Sequence, residues 1–139
     1  MRIIESYQNS IKSLVNPHKM VHLDDVQTSE DMIASETIDY FMRNPDELFR
    51  TPPQIKIFPC DNQPFKYYSA DGNTRLFVCH LRNITDIPIE VSAPDPEELS
   101  LQYARQCYNE GIRHWRDLRS KVVPEEVKFD ARKDAMFDP

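Results

Sequence analysis

The chain has 139 residues, 40% of them apolar, which is enough for one domain with a hydrophobic core. Its 17 basic and 23 acidic residues give a net charge of −6, which argues against non-specific nucleic-acid binding, because such binding depends on a basic surface. No run approaches the ~20 apolar residues of a membrane span, and three cysteines without CxxC spacing do not form a disulfide framework. The four histidines lack paired ligand spacing, so we expect no histidine metal site. Because the cysteines form no disulfide framework and no apolar run is long enough for a span, we expect a cytoplasmic protein with no membrane association.

Residues 1–17 are predicted to form an amphipathic N-terminal helix. Apolar side chains recur at helical spacing, at Ile4, Tyr7, Ile11, Leu14 and Val15. Asn16–Pro17 ends the pattern, because proline disfavours helical backbone at the residue before it. This helix either packs on the domain or forms a contact between copies of the chain.

The next segment is predicted to contain a strand and then a helix. Residues 20–26 are strand-like, and Thr28 offers a hydroxyl cap that is followed by the acids of a first helical turn, Glu30 and Asp31. The apolar pattern indicates a helix over 30–44, and Ser35 offers a second start within it. Residues 45–54 contain three prolines and are predicted to be a stiff loop.

The middle of the chain alternates between strand and helix signals. Residues 55–59 and 65–69 are predicted to be two strands joined by a hairpin turn. Gly72, one of only two glycines, follows the second strand directly. Residues 74–82 are predicted to be a short helix, and residues 87–91 a further strand.

The turn at Gly72 has the features of an anion site. A strand, a tight glycine turn and a helix N-terminus place backbone N–H groups and the positive end of a helix together. Asp71 and Arg75 flank this turn with one charge of each sign. Plainer interpretations stay open, with Asp71 or Asn73 as an ordinary helix cap and Arg75 in a structural ion pair with Asp71 or Glu36.

The C-terminal third is predicted to be mostly helical. After a proline-rich connector, a long helix is expected over 96–120, with a buried stripe of Leu99, Tyr103, Cys107, Trp115 and Leu118. Gly111 marks either a kink in this helix or a break into two helices. Val122–Pro124 ends the helix, and residues 125–139 are expected to be a charged tail containing a short helix.

Basic residues are concentrated in the same region. They are Arg105, Arg113, His114, Arg116, Arg119 and Lys121. Such a cluster is typical either of a contact with nucleic acid or an acidic protein, or of a solvated helix face. The interspersed acids Glu110 and Asp117 favour the solvated face.

The central motifs resemble the signature of the ParB/sulfiredoxin superfamily. The turn Asp71–Arg75, the apolar helix after it, the loop Asn83–Asp86 and the strand Ile87–Val91 match that superfamily's Asp/Glu-Gly-x-x-Arg turn, helix, loop and Ile-Pro-Val-x-Val strand. Upstream, residues 21–26 and 55–58 resemble its two earlier strands, so that the resemblance covers roughly residues 20–91.

This resemblance implies an α+β fold. A small mixed sheet of four or five strands, with helices packed on it, would occupy a core over residues 18–93. The N-terminal helix would flank this core on one side, and a C-terminal helical extension over 94–124 would follow it.

The turn also distinguishes between branches of the superfamily. Sulfiredoxins carry a cysteine just after the glycine, where this chain has Asn73, so sulfiredoxin activity is excluded. ParB proteins continue the box with further arginines, where this chain has Leu76–Val78, and the chain lacks an obvious helix-turn-helix. The turn is most similar to the Asp-Gly-His-Thr-Arg turn of the free serine kinase-like branch, from which it differs at Asn73 alone.

Resemblance to that branch implies a role for each residue of the candidate site. Glu30 would act as the base on a hydroxyl, and Asp71 would lie near a metal ion or that hydroxyl. The residues around a phosphate would be Gly72, Asn73, Thr74 and Arg75. Ser29 and Asn73 stand where the branch usually has histidines, which puts catalysis in question because an asparagine carries no transferable proton. The plainer roles are a helix-start acid for Glu30 and a cap for Thr74.

We therefore expect a domain that binds a nucleotide or a phosphorylated small molecule at Asp71–Arg75, with ATP or CTP and Mg²⁺ as its cofactors. Such a domain would act as a phosphotransferase or as a nucleotide hydrolase. The alternative is a non-catalytic ParB-like module that binds DNA or a protein partner and is associated with a plasmid or a phage. Mg²⁺-dependent nucleotide binding separates the two.

Overall fold

A computed structural model describes residues 3–12, 14, 18–50, 55–91 and 99–137. The fold is α+β, as predicted. In chain order its elements are α1 (Ile3–Lys12), β1 (Lys19–His22), β2 (Val26–Gln27), β3 (Ile33–Ala34), α2 (Ser35–Arg43), β4 (Lys56–Pro59), β5 (Tyr67–Asp71), α3 (Asn73–Leu81), β6 (Asp86–Val91), α4 (Leu99–Asn109), β7 (Val122–Val123) and α5 (Glu125–Phe137). Single 3₁₀ turns lie at Leu23–Asp25 and Pro45–Glu47, and a longer 3₁₀ helix at Trp115–Lys121. The predicted connector over 92–98, the end of the N-terminal helix at 15–17 and the loop residues 51–54 lie outside the described residues.

A mixed sheet carries the fold. Within the described ranges it has five strands in the order β1-β6-β4-β5-β2. The pairs β1–β6 and β4–β5 are antiparallel, whereas β4–β6 and β2–β5 are parallel. The predicted hairpin is the β4–β5 pair, in which Phe58 lies opposite Tyr68. A separate pair of short parallel strands, β3 and β7, joins the region before α2 to the C-terminal region.

Helix α3 lies in the hydrophobic core. Its residues Leu76, Phe77, Val78 and Cys79 are all buried, together with the sheet residues Ile57, Ile87 and Ile89. Full burial of an aliphatic or aromatic side chain stabilises a fold by about 1.5–3 kcal/mol. The core therefore fixes the position of α3, and with it the turn at the end of β5 from which α3 starts.

The predicted single strand over 20–26 is wrong, because this segment serves both edges of the main sheet. β1 pairs with β6 at one edge and β2 pairs with β5 at the other, so one continuous strand cannot make both pairings. The 3₁₀ turn between them is held by Trp115, whose indole N–H donates to the carbonyl oxygens of Leu23 at 3.2 Å and Val26 at 3.1 Å.

The predicted helix over 30–44 starts later, at Ser35. The hydroxyl of Thr28 accepts the backbone N–H of Glu30 at 3.1 Å, which forms a local turn instead of a helix cap. Ile33–Ala34 then pairs with Val122–Val123, so this part of the chain is extended. Glu30 is therefore not a helix-start acid, and its plainer interpretation is wrong.

The predicted long helix over 96–120 ends at Asn109. Gly111 has a φ of +91°, and the N–H groups of Gly111 and Ile112 donate back to the carbonyl oxygens of Tyr108 and Cys107. This Schellman arrangement terminates α4, and Gly111 therefore breaks the helix instead of kinking it.

The buried face of α4 also differs from the prediction. Leu99 and Tyr103 are 56% and 49% exposed, and the buried face is made by Ser100, Ala104 and Cys107. Small side chains at these positions let α4 approach β5 closely, which large residues would prevent. Trp115 and Leu118 are buried as predicted, but they belong to the 3₁₀ helix.

The predicted charged tail is a helix that packs on the domain. α5 runs from Glu125 to Phe137 and contacts α2 and β3. At its N-terminus the backbone N–H of Glu125 donates to the Glu36 carboxylate at 2.5 Å. This bond lowers the pKa of Glu36, because it stabilises the ionised carboxylate. Residues 138–139 of the predicted tail lie outside the described residues.

Candidate functional site

Gly72 forms the turn between β5 and α3, as predicted. Its φ is +95°, a left-handed conformation that side chains with a Cβ rarely adopt. A Cβ added to Gly72 would lie 2.8 Å from Cγ1 of the buried Ile55, so packing also requires glycine here. The first bond of the helix runs from the Leu76 N–H to the Gly72 carbonyl oxygen at 3.0 Å. The backbone N–H groups of Asn73 and Thr74 precede this bond, so helix geometry gives them no intrahelical acceptor.

Asn73 joins this turn to the segment before β3. Its buried side-chain oxygen accepts the Thr28 hydroxyl at 3.0 Å, the Ser29 backbone N–H at 3.2 Å and the Ser69 hydroxyl. Its side-chain nitrogen donates to the Ser29 hydroxyl at 3.0 Å. The Asn73 side chain is thus committed to the fold, and a phosphate contact from this residue would come from its backbone N–H.

The turn lines a cleft of about 190 Å³. Its walls are formed by Glu30, Thr37, Phe41, Asp71, Gly72, Asn73, Thr74, Arg75 and Lys128. The structure therefore brings all six residues of the sequence-predicted site to one cleft. Lys128 of α5 was missed, because it lies in a stretch with no motif and reaches the cleft only through the packing of α5.

Two ion pairs lie along this cleft. The Lys128 ammonium is 2.6 Å from the Glu30 carboxylate, and their side chains are 13% and 23% exposed. The Arg75 guanidinium is 3.9 Å from the Asp71 carboxylate. The structural interpretation of Arg75 is therefore supported for Asp71, whereas Glu36 bonds to α5 instead.

Arg75 is far more buried than a surface phosphate ligand. Its side chain is only 6% exposed. Burial lowers the pKa of Arg75, and the nearby Asp71 carboxylate opposes this effect. Because a guanidinium stays protonated in proteins, Arg75 still adds a positive charge to the first turn of α3.

The charge and the volume of the cleft together suit a small anion better than a whole nucleotide. Two carboxylates and two cations cancel, so the excess positive potential comes from the N-terminus of α3, equivalent to about half an elementary charge. Pockets that enclose drug-sized ligands measure about 300–1,000 Å³. A cleft of about 190 Å³ therefore fits a phosphate group, with the rest of a larger ligand outside it.

A metal ion at this cleft would need ligands in addition to its two carboxylates, Glu30 and Asp71. Over the described ranges, no group of three or more histidine, cysteine, aspartate or glutamate residues is arranged to hold a metal ion. Mg²⁺, however, is commonly bound by one or two carboxylates together with substrate phosphates and water. Asp71 lines the cleft and would be the carboxylate that shares such an ion with a bound phosphate.

The cysteines give no sign of thiolate chemistry. Burial raises the pKa of Cys79 and of Cys107 to about 12, so both are thiols near neutral pH. Burial also raises the pKa of Cys60. None of these thiols lines the cleft.

The basic cluster of the C-terminal region is spread over α4, the 3₁₀ helix Trp115–Lys121 and the connection between them. The Arg113 guanidinium lies 4.1 Å from the ring centre of Tyr108, and Arg105 donates to the Gln63 side chain at 3.2 Å. Arg119 donates to the ring of His80 at 3.1 Å. Because α4 ends before Arg113, these basic residues do not lie on the face of a single helix.

No protein-family model, curated protein or solved structure matches this chain. In the part of the chain that the structure covers, no helix has the length and apolar character needed to cross a membrane. The resemblance to the ParB/sulfiredoxin superfamily therefore rests on the residues of the Gly72 turn and on the order of the motifs around it.

Proposed function

We propose that the chain is a ParB/sulfiredoxin-like domain whose cleft at Asp71–Arg75 binds the phosphate group of a nucleotide or of a phosphorylated small molecule. The observation that carries this proposal is the meeting of three features in one cleft. They are the Gly72 turn at the N-terminus of α3, the cation Arg75 within the first turn of that helix, and the cation Lys128 of α5.

The physical basis is the set of donors that an anion would meet. The backbone N–H groups of Asn73 and Thr74 have no intrahelical acceptor, and the hydroxyl of Thr74 lies in the same turn. Hydrogen bonds to a charged group each contribute about 1.5–3 kcal/mol. The carboxylates of Glu30 and Asp71 repel an anion. Binding therefore requires that Arg75 and Lys128 give up part of their interaction with these carboxylates and interact with the phosphate instead.

The proposed chemistry is phosphoryl transfer or nucleotide hydrolysis. Glu30 would accept the proton of a hydroxyl or of water, and Asp71 would share Mg²⁺ with the phosphates of ATP or CTP. The metal ion would supply neutralisation of phosphate charge. The pairing of Glu30 with Lys128 constrains this role, since the carboxylate must leave the ammonium before it can act as a base.

Calorimetric titration with orthophosphate, ATP and CTP, with and without Mg²⁺, tests the proposal. We expect saturable binding of phosphate, and tighter binding of a nucleotide when Mg²⁺ is present. Thr74→Val keeps the side-chain volume but removes the hydroxyl, so it should weaken phosphate binding about tenfold or more. The exposed Thr85 lies outside the cleft, and Thr85→Val should leave the affinity unchanged.

A second variant examines the buried cation. Arg75→Lys keeps the charge but loses the planar fork, and we expect phosphate binding about tenfold weaker with the fold retained in circular dichroism. No saturable binding of orthophosphate or of either nucleotide to the wild-type chain would overturn the proposal. That result would instead favour the non-catalytic module.

A further inference from the structure

The Glu30–Lys128 pair joins the cleft to a helix that lies outside the resemblance. Residues 20–91 carry the resemblance, whereas Lys128 belongs to α5. The pair is short, at 2.6 Å, and both side chains are largely shielded from water. It therefore differs from an exposed surface pair, which contributes little and is screened by salt.

Two contacts just before Lys128 in the chain hold its backbone against the rest of the domain. β7 pairs with β3 just before α5, with Val122 opposite Ile33. The Glu125 N–H bonds to Glu36, which places the first turn of α5 against α2. Lys128 follows in the next turn, so its Cα is held while its long side chain keeps several rotatable bonds.

We propose that Lys128 is the exchangeable counter-ion of the cleft. It pairs with Glu30 when the cleft is empty and with the phosphate when the cleft is occupied, so that anion binding releases the Glu30 carboxylate from the ammonium. This inference rests on the proposed function. It assigns the site a ligand with a terminal phosphate, because a doubly charged group competes with a single carboxylate for an ammonium.

If this exchange occurs, substitutions of Glu30 and of Lys128 should change the phosphate affinity in opposite directions. Glu30→Gln removes a competitor for Lys128 and one charge that repels the anion, so phosphate should bind more tightly. Lys128→Met removes the cation and leaves the Glu30 charge facing the anion, so phosphate should bind more weakly. A pair that serves only to hold α5 in place predicts instead that both substitutions lower stability and that Lys128→Met leaves the phosphate affinity unchanged.

Calorimetric titration with orthophosphate, at low ionic strength and on the full chain, decides between these cases. We expect Lys128→Met to weaken binding about tenfold or more, the range of one charge-assisted hydrogen bond. Glu30→Gln should tighten binding several-fold, and the double variant should fall between the two. The control is Lys121→Met, because Lys121 is exposed and lies outside the cleft.

The outcomes separate this inference from the proposed function. If the wild-type chain binds phosphate but Lys128→Met binds it equally well, or Glu30→Gln binds it no more tightly, the counter-ion role is overturned and the phosphate site stands. If the wild-type chain binds no phosphate, both fall. Should Lys128→Met fail to fold, Lys128→Gln replaces it, because a neutral polar side chain can still bond to Glu30: phosphate binding weakened about tenfold supports the exchange, and an affinity equal to wild type overturns it.

Discussion

Replacing Gly72 by alanine tests why the turn at the site contains a glycine. The substitution places a Cβ on a residue with φ of +95°, which costs about 1–2 kcal/mol. The new Cβ would also lie 2.8 Å from Cγ1 and 3.1 Å from Cγ2 of Ile55. Ile55 is 1% exposed and branched at Cβ, so it cannot rotate away easily, and overpacking of this kind costs about 1–3 kcal/mol. We expect Gly72→Ala to destabilise the fold by about 2–5 kcal/mol.

The assay is urea unfolding followed by the fluorescence of Trp115, the sole tryptophan, which is 3% exposed. Gly111→Ala is the matched control, because Gly111 has a similar φ of +91° but open space around it. Within the described part of the chain, nothing beyond its own neighbours in sequence lies within 4 Å of the position that a Cβ would take. This control should lose about 1–2 kcal/mol through backbone strain alone. The difference between the two variants isolates the contact with Ile55.

A double-variant cycle identifies the atoms responsible. Ile55→Ala removes both γ carbons, so Gly72→Ala should cost about 1–3 kcal/mol less in that background than in the wild-type chain. Ile55→Val keeps both γ carbons and should give no such relief. Equal losses for Gly72→Ala and Gly111→Ala would refute the argument that the close approach of Ile55 selects glycine at this turn.

Two further predictions concern the contacts around the cleft. Asn73→Ala should destabilise the fold by about 2–4 kcal/mol in the same urea assay, because it leaves buried donors without their acceptor, whereas the exposed Asn109→Ala should change stability by less than about 0.5 kcal/mol. The pKa of Glu36 is lowered because its carboxylate accepts the Glu125 N–H. This bond therefore stabilises the fold above the unfolded pKa of 4.5, and the stabilisation is lost as the pH falls through the lower pKa of the folded state. Wild type should therefore be more stable than Glu36→Gln near neutral pH and lose that advantage below pH 4.5; a difference that does not change with pH would contradict this origin.

Local sequence signals were sufficient for the elements that carry the turn. The strand before Gly72, the helix after it and the strand at 87–91 were predicted near their observed bounds. Each depends on neighbouring residues, through aromatic strand formers, a glycine with a left-handed backbone and an apolar helix. The end of α4 at Asn109 was also readable in principle, since Gly111 followed by Ile112 is a C-terminal cap pattern.

The packing of distant elements determines which residues meet at the site and which partners their side chains bond to. Glu30 and Lys128 are separated by 98 residues and come together only because β7 pairs with β3 and α5 packs on α2. The side chain of Asn73 is taken up by a segment 44 and 45 residues earlier, which no local pattern indicates.

The division has a physical cause. Backbone conformation at a turn depends on steric limits within a few residues, so neighbouring residues are enough to predict that Gly72 joins a strand to a helix. The charge on the cleft depends on which side chains of distant elements share it once the core has formed. The pairing of Arg75 with Asp71 is local, four residues apart, whereas the burial of Arg75 and the contact between Lys128 and Glu30 follow from that packing. Packing of distant elements therefore added Glu30 and Lys128 to the charges around the first turn of α3.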